Sequence, residues 1–215
     1  LKFRRKLKIE PQQKGGDMHE VSFFGCKAAG HCPLLIVLCG WAAAGKSTVA
    51  RRLSKTLNTH WIDINSVRKV NTGIPYSHPE ESVELMKRDR QEMKAAYELL
   101  FHMTNTNLRM RRSLIITATF SRVNLWHKLL EMTKRVPCAE IKIVRCVPKN
   151  DSQKEVEERL SKTQEGRQHD SVHTYGRYLE IKKRSLENPP PFPYLEIDTS
   201  PPNTVERSAE QALAY

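Results

Sequence analysis

The sequence predicts a three-layer α/β/α sandwich around a central, mostly parallel five-stranded sheet. Three observations carry that prediction: short apolar blocks without polar alternation, helix-length amphipathic stretches between them, and their regular succession along the chain. The first strand is Leu34 to Leu38, apolar at every position, as a strand covered on both faces requires. Residues 45–57 follow as a helix, with Val49, Leu53 and Leu57 recurring every four positions. A second strand is expected at His60 to Ile64. A long helix from Glu80 to about Asn105 then places Val83, Met86, Met93, Tyr97 and Leu100 on one stripe, with Ser77, Pro79 and Glu80 forming a capping-box start. Ser113 to Ala118 reads as the third strand, Asn124 to Arg135 as a helix, and Ala139 to Val147 as the fourth strand. Charged helices run to about Glu187, the stiff NPPPFP connector follows, and Tyr194 to Asp198 makes the last strand.

The chain has 215 residues, suited to one sizeable domain, and 39% of them are aliphatic, aromatic or cysteine. Its longest apolar run, Leu34 to Cys39, is far short of the ~20 residues of a membrane-spanning helix, so no membrane partner is expected. Lys and Arg outnumber Asp and Glu, 36 to 24, and that +12 surplus favours polyanionic partners, nucleotides and nucleic acids among them. Five scattered cysteines argue against a secreted disulfide framework. Residues 1–32 are expected to be a basic, poorly ordered lead-in without a secretory signal, which points to a cytoplasmic setting. Residues 33–215 are expected to form the domain. Cys26 and Cys32 match no common zinc spacing and are expected to be free thiols.

The segment that carries chemistry is Gly40-Trp41-Ala42-Ala43-Ala44-Gly45-Lys46-Ser47, followed by Thr48. It fits the phosphate-binding pattern G-x-x-x-x-G-K-[ST] between a predicted strand and a predicted helix. Glycines let the backbone curl so that successive N–H groups face one anion, and the helix start adds its positive end. Lys46 supplies a mobile charge for the outer phosphates, and the Ser47 hydroxyl is a ligand for Mg²⁺. The expected cofactors are therefore ATP and Mg²⁺.

Around that motif the chain resembles the small P-loop kinases of the polynucleotide-kinase, chloramphenicol-phosphotransferase and zeta-toxin group, and bacterial predicted-kinase domains above all. The likeness runs through LIVLCGWAAAGKSTVARRL, WIDINSVRKV, SLIITATFSR and the DTS at residues 198–200, from about residue 34 to 200. It implies a P-loop NTPase fold with a helical lid at about residues 150–170. Carried over by position, it implies that Arg68 and Lys69 belong to the acceptor side, that Arg122 ends the third-strand motif, and that Arg159 opens the cationic lid motif. Thr163 stands where that motif has its second arginine, leaving Lys162 or Arg167 as substitutes.

Two departures matter. Asn65 occupies the place of the family's acidic base, and an amide takes no proton. Asp63, two residues earlier, is the alternative carboxylate if the strand continues past it. Thr117 stands where the family carries the aspartate of D-A-T-F near the metal.

The expected catalytic set is therefore Lys46, Asp63, Arg159 and Arg167. Asn65, Arg68 and Arg122 are expected to face the acceptor. The expected activity is transfer of the γ-phosphoryl of Mg·ATP to a hydroxyl on a small molecule or a 5′-hydroxyl polynucleotide. The alternative is a nucleotide-binding module with weak or no turnover, regulatory within a larger protein. Basic clusters at Arg109, Arg111 and Arg112 and at Lys182 to Arg184 lack interleaved aromatics and read as solvated faces.

Overall fold

The computed structural model describes residues 32–72, 83–166, 174–200 and 205–215. Strand β1 (Leu34–Cys39) is the middle strand of the sheet, buried from Leu35 onward. The expected strands all form: β2 (His60–Asp63), β3 (Leu114–Thr117), β4 (Glu140–Val147) and β5 (Leu195–Asp198). Their order across the sheet is β2-β3-β1-β4-β5, and every pairing is parallel, so the sheet is wholly rather than mostly parallel. Parallel neighbours need crossovers, and the intervening helices supply them on both faces.

Helix α1 (Lys46–Leu57) lies where the four-residue recurrence places it, burying Val49, Ala50 and Leu53. Helix α2 (Ile64–Thr72) lies outside the sequence expectation, which carried a strand to Ile64. The strand stops at Asp63, whose carboxylate Oδ1 accepts from the backbone N–H of Asn65 at 2.9 Å and caps the new helix. Asn65 is thus in the first turn of a helix and does not share a strand face with Asp63.

Helix α3 (Val83–Arg109) buries Tyr97 and Leu100 as expected; the capping-box residues Ser77, Pro79 and Glu80 lie outside the described residues. Helices α4 (Val123–Lys134), α5 (Gln153–Gly166) and α6 (Tyr175–Glu187) follow the charged and amphipathic segments. A seventh, α7 (Val205–Ala214), packs against α1 and was not foreseen, because only Ser208 and Ala209 are buried in it.

The sheet separates two apolar layers. One joins Leu35, Val37, Leu114 and Ile116 to α3 and α4, where Phe120 stacks on Trp126 at a 4.5 Å ring separation. The other joins Ile36, Leu38, Ile115 and Val144 to α1 and α6. Alternate residues of each strand feed opposite layers, so both layers fix the sheet's carboxyl ends, where the site lies.

Candidate active site

The loop from Gly40 to Gly45 leaves β1 and turns into α1. Gly40 has φ +134°, and a Cβ there would stand 2.4 Å from the carbonyl oxygen of Cys146, so β4 admits no side chain at this position. Ala43 (φ +54°) and Gly45 (φ +74°) also take left-handed conformations, which completes the curl. Gly45 caps α1 without a side chain, and α1 has no acidic residue in its first turn, so no carboxylate of the helix itself competes for its amides. From the end of β5, Thr199 Oγ1 donates to Ala44 O at 3.1 Å and braces the loop. Lys46 Nζ donates to Trp41 O at 2.7 Å.

Two thiols sit beneath this cradle. Cys39 and Cys146 are both buried, and loss of hydration pushes the Cys146 thiol up to about 12 and the Cys39 thiol higher still.

Trp41 turns away from the cleft. It is fully buried, and its indole Nε1 donates to the Tyr178 hydroxyl at 2.8 Å. That hydroxyl in turn donates to Asp151 Oδ2 at 3.0 Å, and Lys182 forms an ion pair with the same carboxylate. The loop is thereby joined through α6 to the residue that leads into α5. Burial raises the Tyr178 phenol well above its ordinary range, which keeps it a proton donor to Asp151.

At the neighbouring strand ends, Asp63 is 8% exposed and gathers four donors. Its Oδ2 accepts from Ser47 Oγ at 3.1 Å and from Thr117 Oγ1 at 2.7 Å, while Oδ1 accepts from the amides of Asn65 and Ser66. Thr117 itself accepts from Trp61 Nε1 at 3.0 Å. Asp63 and Thr117 are register partners of β2 and β3. The carboxylate that the family pattern places on β3 therefore stands one strand over, against the expected metal-ligating hydroxyl. A hydroxyl, a carboxylate and incoming phosphate oxygens are hard oxygen donors, so Ser47 and Asp63 fit Mg²⁺ by chemistry.

A cleft of about 900 Å³ opens over these groups. The loop residues 42–45 line it with Lys46, Ser47 and Thr48, and so do Asp63, Asn65, Arg122 and Arg159. Arg159 also donates weakly to Asn150 O at 3.5 Å. Gly40 and Trp41 support the cradle from behind rather than line it.

Arg68 has a different placement from the one expected of it. It is 4% exposed and pairs with Asp89 at 2.7 Å and Glu92 at 2.8 Å, fastening α2 to α3. Arg167 lies outside the described residues.

The sequence reading missed several cleft residues on α3, α4 and α6, among them Arg90, Lys94, Tyr97, Lys128, Arg177 and Arg184. Tyr97 is the most embedded: its hydroxyl lies 3.2 Å from Thr119 Oγ1 and accepts from Phe120 N, holding the loop after β3. Phe120 takes φ +49° there, a conformation disfavoured for a bulky residue.

A family model described as an AAA domain matches residues 35–178. Among curated proteins none matches. Solved structures show the same fold. A putative kinase from Chloroflexus aurantiacus superposes with a TM-score of 0.66 at 23% identity, covering 85% of this chain and 98% of that one. The Mycobacterium tuberculosis APS kinase CysC, in complex with AMPPNP and APS, gives 0.55 at 15% identity, with 86% and 96% covered. Acinetobacter baumannii shikimate kinase, in complex with shikimate, gives 0.54 at 15% identity, with 85% and 89% covered. With its parallel sheet, its Gly40–Ser47 cradle and this match, the chain belongs to the AAA domain family and shares the fold of those kinases.

Proposed function

We propose that this domain is a phosphotransferase that moves the γ-phosphoryl of Mg·ATP to an alcohol. One observation carries the reading: an open helix start, a lysine, a serine and a buried carboxylate meet at one end of a cleft large enough for a nucleotide and a second molecule. The kinases named above, of the same fold, support it.

In this reading the amides of residues 42–48 hold the phosphates, and Lys46 leaves Trp41 O for the outer ones. Ser47, held by Asp63, would ligate magnesium, which would supply charge neutralisation for the phosphates when bound. Arg159 approaches the transferring group from α5, with Arg167 as a further lid cation. A bond forms from the acceptor oxygen to the γ-phosphorus, the bond from that phosphorus to the β,γ-bridging oxygen breaks, and the hydroxyl proton leaves for Asp63 or solvent. Such transfer rests chiefly on positioning and charge, so the amide at Asn65 does not abolish it. Asn65 and Arg122 flank the acceptor, and Arg68 orders the α2–α3 wall behind it. Among the described residues no helix is long and apolar enough to cross a membrane.

One observation favours a second reading, a binding module with little turnover: Thr117 brings no charge to the end of β3. A single experiment decides between them. The protein and a Lys46→Ala variant are incubated with Mg·ATP and pooled acceptors, comprising nucleosides, sugars, aminoglycosides, phosphorylated alcohols and 5′-hydroxyl oligonucleotides. Phosphorylated product from the parent alone supports transfer. Nucleotide binding without product supports the module.

A further inference from the structure

The cleft has more positive charge than a nucleotide triphosphate accounts for. Among the described residues, nine cationic side chains line it against four acidic ones, Asp63, Asp89, Glu98 and Glu180. Lys46, Arg51 and Arg159 belong to the phosphate loop, its helix and α5. The others stand on different elements: Arg90 and Lys94 on α3, Arg122 at the cap of α4, Lys128 on α4, and Arg177 and Arg184 on α6.

Carboxylates account for some of these. Glu98 pairs with Lys128, and Glu180 bridges Arg177 and Arg184. Arg90, Lys94 and Arg122 have no carboxylate within 4.0 Å among the described residues. The Nε–H of Arg184 is buried at the cleft wall with no acceptor among the described residues, and buried guanidinium donors are seldom left unmatched. Burial first, and then the charges of Arg177, Arg122 and Arg90, press the Arg184 pKa downward against the attraction of Glu180. Like charges from three elements lining one cleft are costly unless an anion joins them.

We propose that the acceptor is an alcohol that already carries a phosphate ester, and that Arg90, Arg122 and Arg184 grip that phosphate while its free hydroxyl faces Asn65 and Asp63. The inference rests on the phosphotransferase reading and names its substrate class. Guanidinium forks suit phosphate oxygens bidentately, and arginines brought to one enclosed cleft from three elements suit a compact dianion better than a polyanion's track. The polar groups Thr119, Ser121 and Asn124 line the same cleft and would read the rest of a small phosphorylated alcohol.

The test is calorimetric, with the phosphate loop filled first. The protein is saturated with magnesium and a non-hydrolysable ATP analogue, then titrated with inorganic phosphate, glycerol 3-phosphate, glycerol, or a 5′-hydroxyl oligonucleotide without terminal phosphate. One equivalent of phosphate and of glycerol 3-phosphate should bind, glycerol should not, and an Arg90→Gln/Arg122→Gln variant should bind both at least ~10-fold more weakly. Both replaced side chains are exposed, and an unchanged melting temperature shows that the variant is folded. No phosphate binding above the analogue, or equal affinity in the variant, overturns the proposal. So does binding of the oligonucleotide alone, which would make the cluster a strand track. If the analogue itself gives no heat, the phosphotransferase reading falls and this proposal with it; a filled loop without a second anion fails this proposal only.

Discussion

The Thr117 hydroxyl donates to Asp63 at 2.7 Å, between facing ends of adjacent parallel strands. The pair joins a residue without charge to the carboxylate that also holds Ser47. Replacing Thr117 with Asp would set two carboxylates at that separation, and both cannot ionise there without a cation. Thr117→Asp is expected to lose about 1–3 kcal/mol without magnesium and to regain most of it in millimolar MgCl₂. Thermal melts with and without the metal measure this. An equal loss in both conditions would place the metal elsewhere. Asp63→Asn should lose the magnesium response in the melts and, in a separate transfer assay, slow turnover by about 100-fold with nucleotide affinity nearly unchanged.

Gly40 lies so close to Cys146 O that even a methyl group has no room. Gly40→Ala should destabilise the fold by about 3 kcal/mol or more, combining a forbidden backbone angle with overpacking against β4. Urea unfolding measures the loss. Ala42→Gly, at a half-buried loop position, is the comparison and should cost less than ~1 kcal/mol.

The Trp41–Tyr178 hydrogen bond spans 137 positions of sequence and ties the phosphate loop to α6. Tyr178→Phe leaves the indole N–H buried without an acceptor and is expected to cost about 1–3 kcal/mol. Adding Trp41→Phe removes the orphaned donor, so the double variant should be less destabilised than the two single losses together predict. Strict additivity across the four proteins would show that the two groups do not cooperate.

Glu92 makes stability depend on acid. Its burial works to raise the carboxyl pKa, but hydrogen bonds and charges from Arg68 and Arg88 outweigh that and hold it below the ordinary 4.5. A group depressed by folding contributes fully above its unfolded pKa and loses that contribution as pH falls through the folded one. Unfolding free energy should therefore decline below about pH 4.5, and more gently in Glu92→Gln. Parallel profiles for the two proteins would show that the α2–α3 ion pairs contribute nothing net.

What could be read in advance follows the range of the interactions. The strands and the cradle are local patterns, so LLIVLC and the Gly40–Ser47 spacing disclosed them directly. Helix α2 was hidden because His60 to Ile64 keeps a strand's composition, while its end is set by a carboxylate capping the next turn. Arg68 had the residue type and position of a substrate ligand; its partners Asp89 and Glu92 lie 21 and 24 positions away, beyond any local pattern. The arginines of α3 and α6 were indistinguishable from solvated helix charge until the fold brought them to one cleft. Asp63 was chosen for its residue type, yet the strand argument behind it fails, and its real partners are Ser47 and Thr117.

Among the described residues (Cys26 lies outside them), Cys39 and Cys146 flank the cradle, sealed from water and protonated far above neutrality, whereas Cys32 is exposed and Cys138 partly so. Maleimide or iodoacetamide dyes would accordingly decorate the latter positions and spare the sulphurs beside the nucleotide grip. Labelling would leave the cradle chemically untouched, because Cys32 and Cys138 precede β1 and β4, at the end of the sheet opposite the nucleotide grip.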